Sequence, residues 1–305
     1  MHRSRDGRII LALFVSLLLI LVGSSGCASN QSTRPKLSYR PSEFRTALRD
    51  RVPGLSDELS RAPFELSDKI TMMARKRVMA APPGTRRVDA LVSFLSDPKP
   101  QGLGLQYDWA ISATAKRTLE LGRGDCVALA NVLVGLGRGL GWPIFFAEAH
   151  TDEPITHEFD EVTMLSDHMV VIVLARSVRM VVDFLGLVHE GYDLRPIDDL
   201  TAYAHLINNI AGHRVISQQE TDRVAGWNVA EKGFQLATEI QPDLGRAWNN
   251  LGIAYTKLGR FEDARAAYQR AVELDTVFGS AEHNLIIMET RAAGEPILIE
   301  SALPE

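Results

Sequence analysis

The last third of the chain repeats itself, which constrains the fold more tightly than any composition. Ala204-His205-Leu206-Ile207-Asn208-Asn209-Ile210 is echoed by Ala247-Trp248-Asn249-Asn250-Leu251-Gly252-Ile253 and again by Ala281-Glu282-His283-Asn284-Leu285. The asparagines Asn209, Asn250 and Asn284 stand 41 and then 34 residues apart, and Pro242 closes the unit before the central copy. A unit recurring at such a period buries its apolar face only against its neighbours, so this part of the chain must stack helices side by side.

Around the central copy, Trp248, Leu251, Gly252, Tyr255, Gly259, Ala264, Tyr268, Ala271 and Leu274 resemble the tetratricopeptide repeat family, over residues 199–294 as a whole. The resemblance implies antiparallel helix pairs. Gly252, Ala264 and Ala271 then let two helices approach closely, while Trp248, Tyr255 and Tyr268 fill the space between units. It also implies a protein partner, with Asn209, Asn249, Asn250 and Asn284 as candidate grips on an extended peptide backbone. Bracing of the array is the equal alternative for these asparagines. Seven extra residues in the first copy predict an irregular loop there. Two repeats and one closing helix fall short of a free-standing array, so the module is expected to lean on the preceding domain or to self-associate.

Residues 42–95 read as amphipathic helices, from Phe44, Leu48, Leu55, Leu59, Ile70 and Val78, broken at Pro53 and Pro82-Pro83-Gly84. A short helix is expected from Ser112 or Thr114 to Leu121, stopped by Gly122. A longer buried one follows Gly124-Asp125 and ends at Gly141 before Trp142-Pro143. Ile144 to Ala149 reads as a strand, 150–167 as an acidic loop, and Met169–Leu174 with Val178–Phe184 as a hairpin. A sheet apolar on both faces with helices before it is an α+β domain, and an all-α repeat domain follows it.

The chemistry centres on Cys126, at the start of the buried helix. First-turn amides and the helix dipole favour an anion, so the expectation is a lowered thiol pKa and a reactive thiolate. His168 precedes one strand and Asp183 ends the next. If the two-residue turn is Ala175-Arg176, they are direct cross-strand partners on one face, close enough for a carboxylate to orient an imidazole; a three-residue turn would put them on opposite faces. Cys126, His168 and Asp183 thus form a candidate catalytic set of nucleophile, base and orienter.

The segments Gly124-Asp125-Cys126-Val127-Ala128-Leu129-Ala130, Leu136-Gly137-Arg138-Gly139-Leu140-Gly141-Trp142-Pro143, Asp167-His168-Met169-Val170 and Val182-Asp183-Phe184 resemble the transglutaminase-like superfamily of papain-type cysteine enzymes, over residues 42–196. The resemblance implies that Cys126 attacks an amide carbonyl of a peptide or protein substrate, that His168 shares and returns the proton, and that Asp183 holds the ring. The Cys126 N–H would be half of an oxyanion hole, and the upstream Gln106, Tyr107 and Trp109 are candidates for the other half. His150, Asp152, His157, Asp160 and His168 share one segment but match no regular ligand spacing, so no metal and no other cofactor is expected. His189, His205, His213 and His283 read as surface or packing histidines, and Arg138 as an ion-pair partner.

At the other end, Arg3, Arg5 and Arg8 precede an apolar run from Ile9 to Val22, too short to cross a bilayer and right for a secretory signal. Gly23-Ser24-Ser25-Gly26-Cys27 resembles the lipobox of bacterial lipoproteins, with Ser24 where Leu is usual. The resemblance implies removal of residues 1–26, lipidation of Cys27, a tether over 27–41, and, with Ala28 next, attachment to the outer membrane on its periplasmic face. An ordinary signal or an uncleaved anchor is the alternative. The final 295–305 read as a tail.

A hydrophobic content of 46% with 23% charged residues excludes a disordered or polytopic membrane chain. A net charge of -5 gives no footprint for nucleic acid. The expectation is therefore a membrane-tethered thiol enzyme (protease, amidase or acyl transferase) with protein-binding repeats. The rival is a noncatalytic adaptor.

Overall fold

A computed structural model describes residues 36–150, 155–159, 162–166, 168–175, 178–188, 193–217, 223–274 and 280–293. The signal 1–26, Cys27, nearly all of the tether and the tail 295–305 lie outside the described residues, as do Asp152 and Asp160. Among the described residues no helix is long and apolar enough to cross a membrane.

Helices α1 (Pro41–Arg51), α2 (Asp68–Met79) and α3 (Thr85–Ser96) come first. Pro41 opens α1, where its missing N–H costs nothing, and Glu43 turns back to accept the Arg40 N–H at 3.0 Å. The short strand β1 (Gln106–Tyr107) pairs in parallel with β2 (Arg123–Gly124), and α4 (Ala115–Leu121) lies between them. Thr114 caps α4, and Gly122 ends it at φ 71°, a left-handed turn that favours glycine. Then comes α5 (Cys126–Gly139), buried almost throughout. At Gly135 this helix passes so close to the chain that an added Cβ would stand 2.2 Å from the Phe64 carbonyl oxygen.

The main sheet is antiparallel, in the order β7-β6-β3-β8, from β3 (Ile144–His150), β6 (His168–Ala175), β7 (Val178–Val182) and β8 (Asp193–Ile197). One face, with Ile144, Phe146, Met169, Val171 and Val182, packs into the main core with α5. The other gathers Ala147, Ala149, Val170 and Ile172. Both faces are apolar, as expected of this pattern. Edge strand β8 was not expected from the sequence, because Pro196 lies inside it. An edge tolerates a residue without an N–H.

Two expectations need correction. The segment read as an acidic loop contains an antiparallel hairpin, β4 (Ile155–Phe159) with β5 (Val162–Ser166). Its β-branched and aromatic residues outweigh the acidic composition. The other correction is the β6–β7 register: Ala175 pairs with Val178 and Val171 with Val182, so His168 and Asp183 are not directly opposite. Extending this register puts Asp183 diagonal to His168, two residues off. An even shift keeps both on one face.

The C-terminal region is helical: α6 (Asp199–Ser217), α7 (Arg223–Ile240), α8 (Gly245–Lys257), α9 (Phe261–Leu274) and α10 (Ser280–Ala292). Successive helices pack as antiparallel neighbours, α6 on α7 and α8 on α9, with α10 closing the stack. The module does lean on the domain before it. Leu200, Tyr203, Leu206 and Ile207 of α6, with Ala237 and Ile240 of α7, share one core with α5 and the sheet. Arg138, at the end of α5, donates to both Asp199 oxygens at 2.7 Å across this boundary. The hairpin strand β5 lies against α8 and α10.

Candidate functional site

Asp125 is the N-cap of α5, its side chain accepting the Ala128 N–H at 2.8 Å. Cys126 follows in the first turn and is 6% exposed. The expected acidic thiol is overturned. Burial pushes the Cys126 thiol up to about 12, the Asp125 charge adds to this, and the N–H groups of Met169 and Val127 offset only part of it. In a dry site the neighbouring carboxylate and the lost hydration outweigh the helix dipole.

His168 and Asp183 come together as expected, though from diagonal positions. Diagonal residues stand about 7–8 Å apart at Cα, and the two side chains span that gap. Nε2 of His168 lies 2.6 Å from Asp183 Oδ1. The same carboxylate accepts the N–H groups of Leu185 at 2.9 Å, Leu187 at 2.6 Å and Val188 at 2.8 Å. Burial alone would raise the Asp183 pKa, but the bond and charge of His168 and these amides hold it below the ordinary carboxylate value. Asp183 is a fixed anion, and it leaves Nδ1 as the ring atom free to receive a proton.

The sulfur and the ring are not hydrogen-bonded to each other. The Cys126 sulfur takes the N–H of Met169, the residue after His168. His168 Nδ1 is buried, and among the described residues it has no hydrogen-bond partner.

The upstream strand runs beside the start of α5 because Tyr107 pairs with Gly124. Tyr107 is exposed at its edge of the site. Burial and the charges of Cys126 and Asp125 raise its phenol pKa, so it stays protonated and can donate. Its phenol feels the charge of Cys126 directly. Gln106 is exposed, with its N–H given to the Gly122 carbonyl at 3.1 Å. Trp109, also exposed, has its ring 6.1 Å from that of His213.

The repeat asparagines are not open grips. Asn249, Asn250 and Asn284 are buried, and they brace the stack: Asn284 Nδ2 donates to Asn249 Oδ1 at 2.9 Å and Asn250 Nδ2 to Asn208 Oδ1 at 3.1 Å. Asn209 Nδ2 donates to Asp125 Oδ2 at 3.2 Å, and His213 Nε2 lies 3.9 Å from the same oxygen. Sequence reading also missed the buried pair of His205 and Glu148, 2.6 Å apart, which ties α6 to β3. The available signal was the spacing of His205, Asn209 and His213 by four, which puts all three on one helix face. Among the described residues no three His, Cys, Asp or Glu side chains converge in a metal-holding group.

Residues 245–275 match the family model described as tetratricopeptide repeat, and α8 and α9 lie within this stretch. No curated protein matches the chain. The C-terminal region therefore carries a tetratricopeptide repeat, a unit that serves protein–protein contact.

Proposed function

We propose that the chain is an envelope-located, lipid-tethered thiol enzyme that acts on peptide or side-chain amides through an acyl-enzyme, within the transglutaminase-like class of papain-type fold. The supporting observation is the His168–Asp183 pair at 2.6 Å, with Nδ1 buried and unpartnered among the described residues and the Cys126 sulfur held by the next backbone N–H. In this reading His168 Nδ1 takes the thiol proton as the sulfur attacks the carbonyl carbon, and Asp183 stabilises the imidazolium. The leaving amine then receives the proton from His168. The Cys126 N–H and the Tyr107 hydroxyl face the developing oxyanion. Water or a second amine releases the acyl group.

A noncatalytic adaptor is the second reading, favoured by the buried high-pKa thiol. Incubation of the lipid-anchored protein with envelope extract, followed by mass spectrometry of Cys126 thioesters, separates the two. A trapped acyl group that disappears in Cys126→Ala supports the enzyme. A Cys126 that is neither acylated nor alkylated at neutral pH leaves the adaptor. Mass spectrometry of the mature N-terminus tests lipidation of Cys27.

A further inference from the structure

The carboxylate next to the nucleophile is held from two sides. From its own domain Asp125 accepts the Ala128 N–H and the Ser112 hydroxyl, and from the repeat module it accepts Asn209. The group is 4% exposed. A buried carboxylate is kept ionised only by such donors, and each one removed makes the proton harder to lose. Asn209 reaches it because α6 is fixed in place: the adjacent Asn208 is held by Asn250, and His205, one turn earlier, by Glu148. The first repeat helix is thus a wall of the thiol site.

We propose that Asn209 is a positioning residue that acts through Asp125, so that the repeat module sets the charge beside Cys126. The inference rests on the reading of Cys126 as a nucleophile, but its readout is thiol chemistry and needs no substrate. The groups facing Asp125 are Ser112 and Cys126 on its own side, Tyr107 from β1, and Asn209 and His213 from α6.

The test is the rate of iodoacetamide alkylation of Cys126 in the full chain from pH 4 to 9. It is run on wild type, Asn209→Ala, Asn209→Asp and Asp125→Asn, each also with His213→Gln to remove the imidazole that faces Asp125 from α6. Wild type is expected to show an inflection that Asp125→Asn abolishes. Asn209→Ala, which suits a helix, moves that inflection up by about 1 pH unit, the size expected for one lost hydrogen bond to a charged group. Asn209→Asp, which sets a like charge opposite, moves it further. No Asp125-dependent inflection in wild type, or one that stays in place in both Asn209 variants, overturns the inference. If the shift is seen while no acyl-enzyme is ever trapped, the inference stands and only the catalytic reading falls.

Discussion

Asp183 holds His168 through one carboxylate oxygen and the amides of Leu187 and Val188 through the other. The acid is therefore oriented by the loop it starts, and the ring is oriented by the acid. In Asp183→Asn the amide nitrogen cannot accept these N–H groups, and the ring loses its anion. Turnover of any amide substrate is expected to fall by about 10³ to 10⁴, the range for losing the orienting carboxylate. Unfolding free energy is expected to drop by about 2–3 kcal/mol, since buried donors are left unpaired. Urea denaturation reads the second effect. Unchanged turnover with reduced stability would make the pair structural only.

His168 is expected to account for all reactivity of Cys126 at neutral pH. With the thiol pushed up to about 12, the free thiolate fraction at pH 7 is negligible, so alkylation depends on proton transfer to Nδ1. His168→Gln should slow alkylation by at least about 10²-fold at pH 7. It should leave the rate near pH 12 unchanged. Equal rates at pH 7 would remove the base.

Repeat period, helix breaks and the strands of the β6–β7 hairpin were legible because they are local: Gly122, Gly141 and Pro242 punctuate, and the β-branched runs are continuous and short. The meeting of His168 with Asp183 was legible only as far as parity, since an even register error leaves the face unchanged. What the sequence concealed was long-range. That α6 belongs to the core of the α+β domain rather than to an open array depends on Asp199 meeting Arg138 and His205 meeting Glu148. Neither partner lies within a helix turn or a strand of the other. The thiol pKa was misjudged because it is set by burial, which one helix start does not reveal.

The His205–Glu148 pair makes its own prediction. Burial raises the Glu148 pKa, but the bond and charge of His205, with Arg246 and His150, outweigh this and bring it down to about 2. A depressed carboxylate contributes stability above its unfolded value near 4.5, and the contribution is lost as pH falls toward 2. Glu148→Gln is expected to cost about 3 kcal/mol at pH 7 and to flatten the acid limb of the stability profile. Thermal melts between pH 2 and pH 7 measure both.

Arg138 joins the domains through a buried ion pair, its guanidinium also lying 4.6 Å from the Phe64 ring centre. Burial raises the Asp199 pKa even with the arginine present, so the arginine does not fully offset the burial of the carboxylate. Arg138→Ala strands the carboxylate and should cost about 3–5 kcal/mol. The double change Arg138→Met with Asp199→Leu should recover most of it. Guanidinium denaturation of wild type and the two variants decides, and a double variant no better than Arg138→Ala would show that the pair contributes more than its desolvation cost.

Asp125 is expected to cost stability at neutral pH. Burial raises its pKa from 3.8 to about 6, although Ser112, Ala128 and Asn209 pull the other way. An acid harder to ionise when folded leaves the fold most stable where it is protonated in both states. Stability is then lost as pH rises from about 4 to about 6. Asn at 125 keeps an N-cap oxygen for the Ala128 N–H and carries no charge. Asp125→Asn should therefore gain on wild type between pH 4 and pH 7, by on the order of 2 kcal/mol. A stability gap that does not change over that interval would mean that Asp125 ionises freely, and that the cost lies in the thiol alone. The stabilised variant should also alkylate faster at Cys126 at pH 7, because the charge opposing the thiolate is gone. A gain in stability together with faster thiol chemistry at one position would mark Asp125 as a site where this fold gives up stability to hold a charge beside the Cys126 thiol.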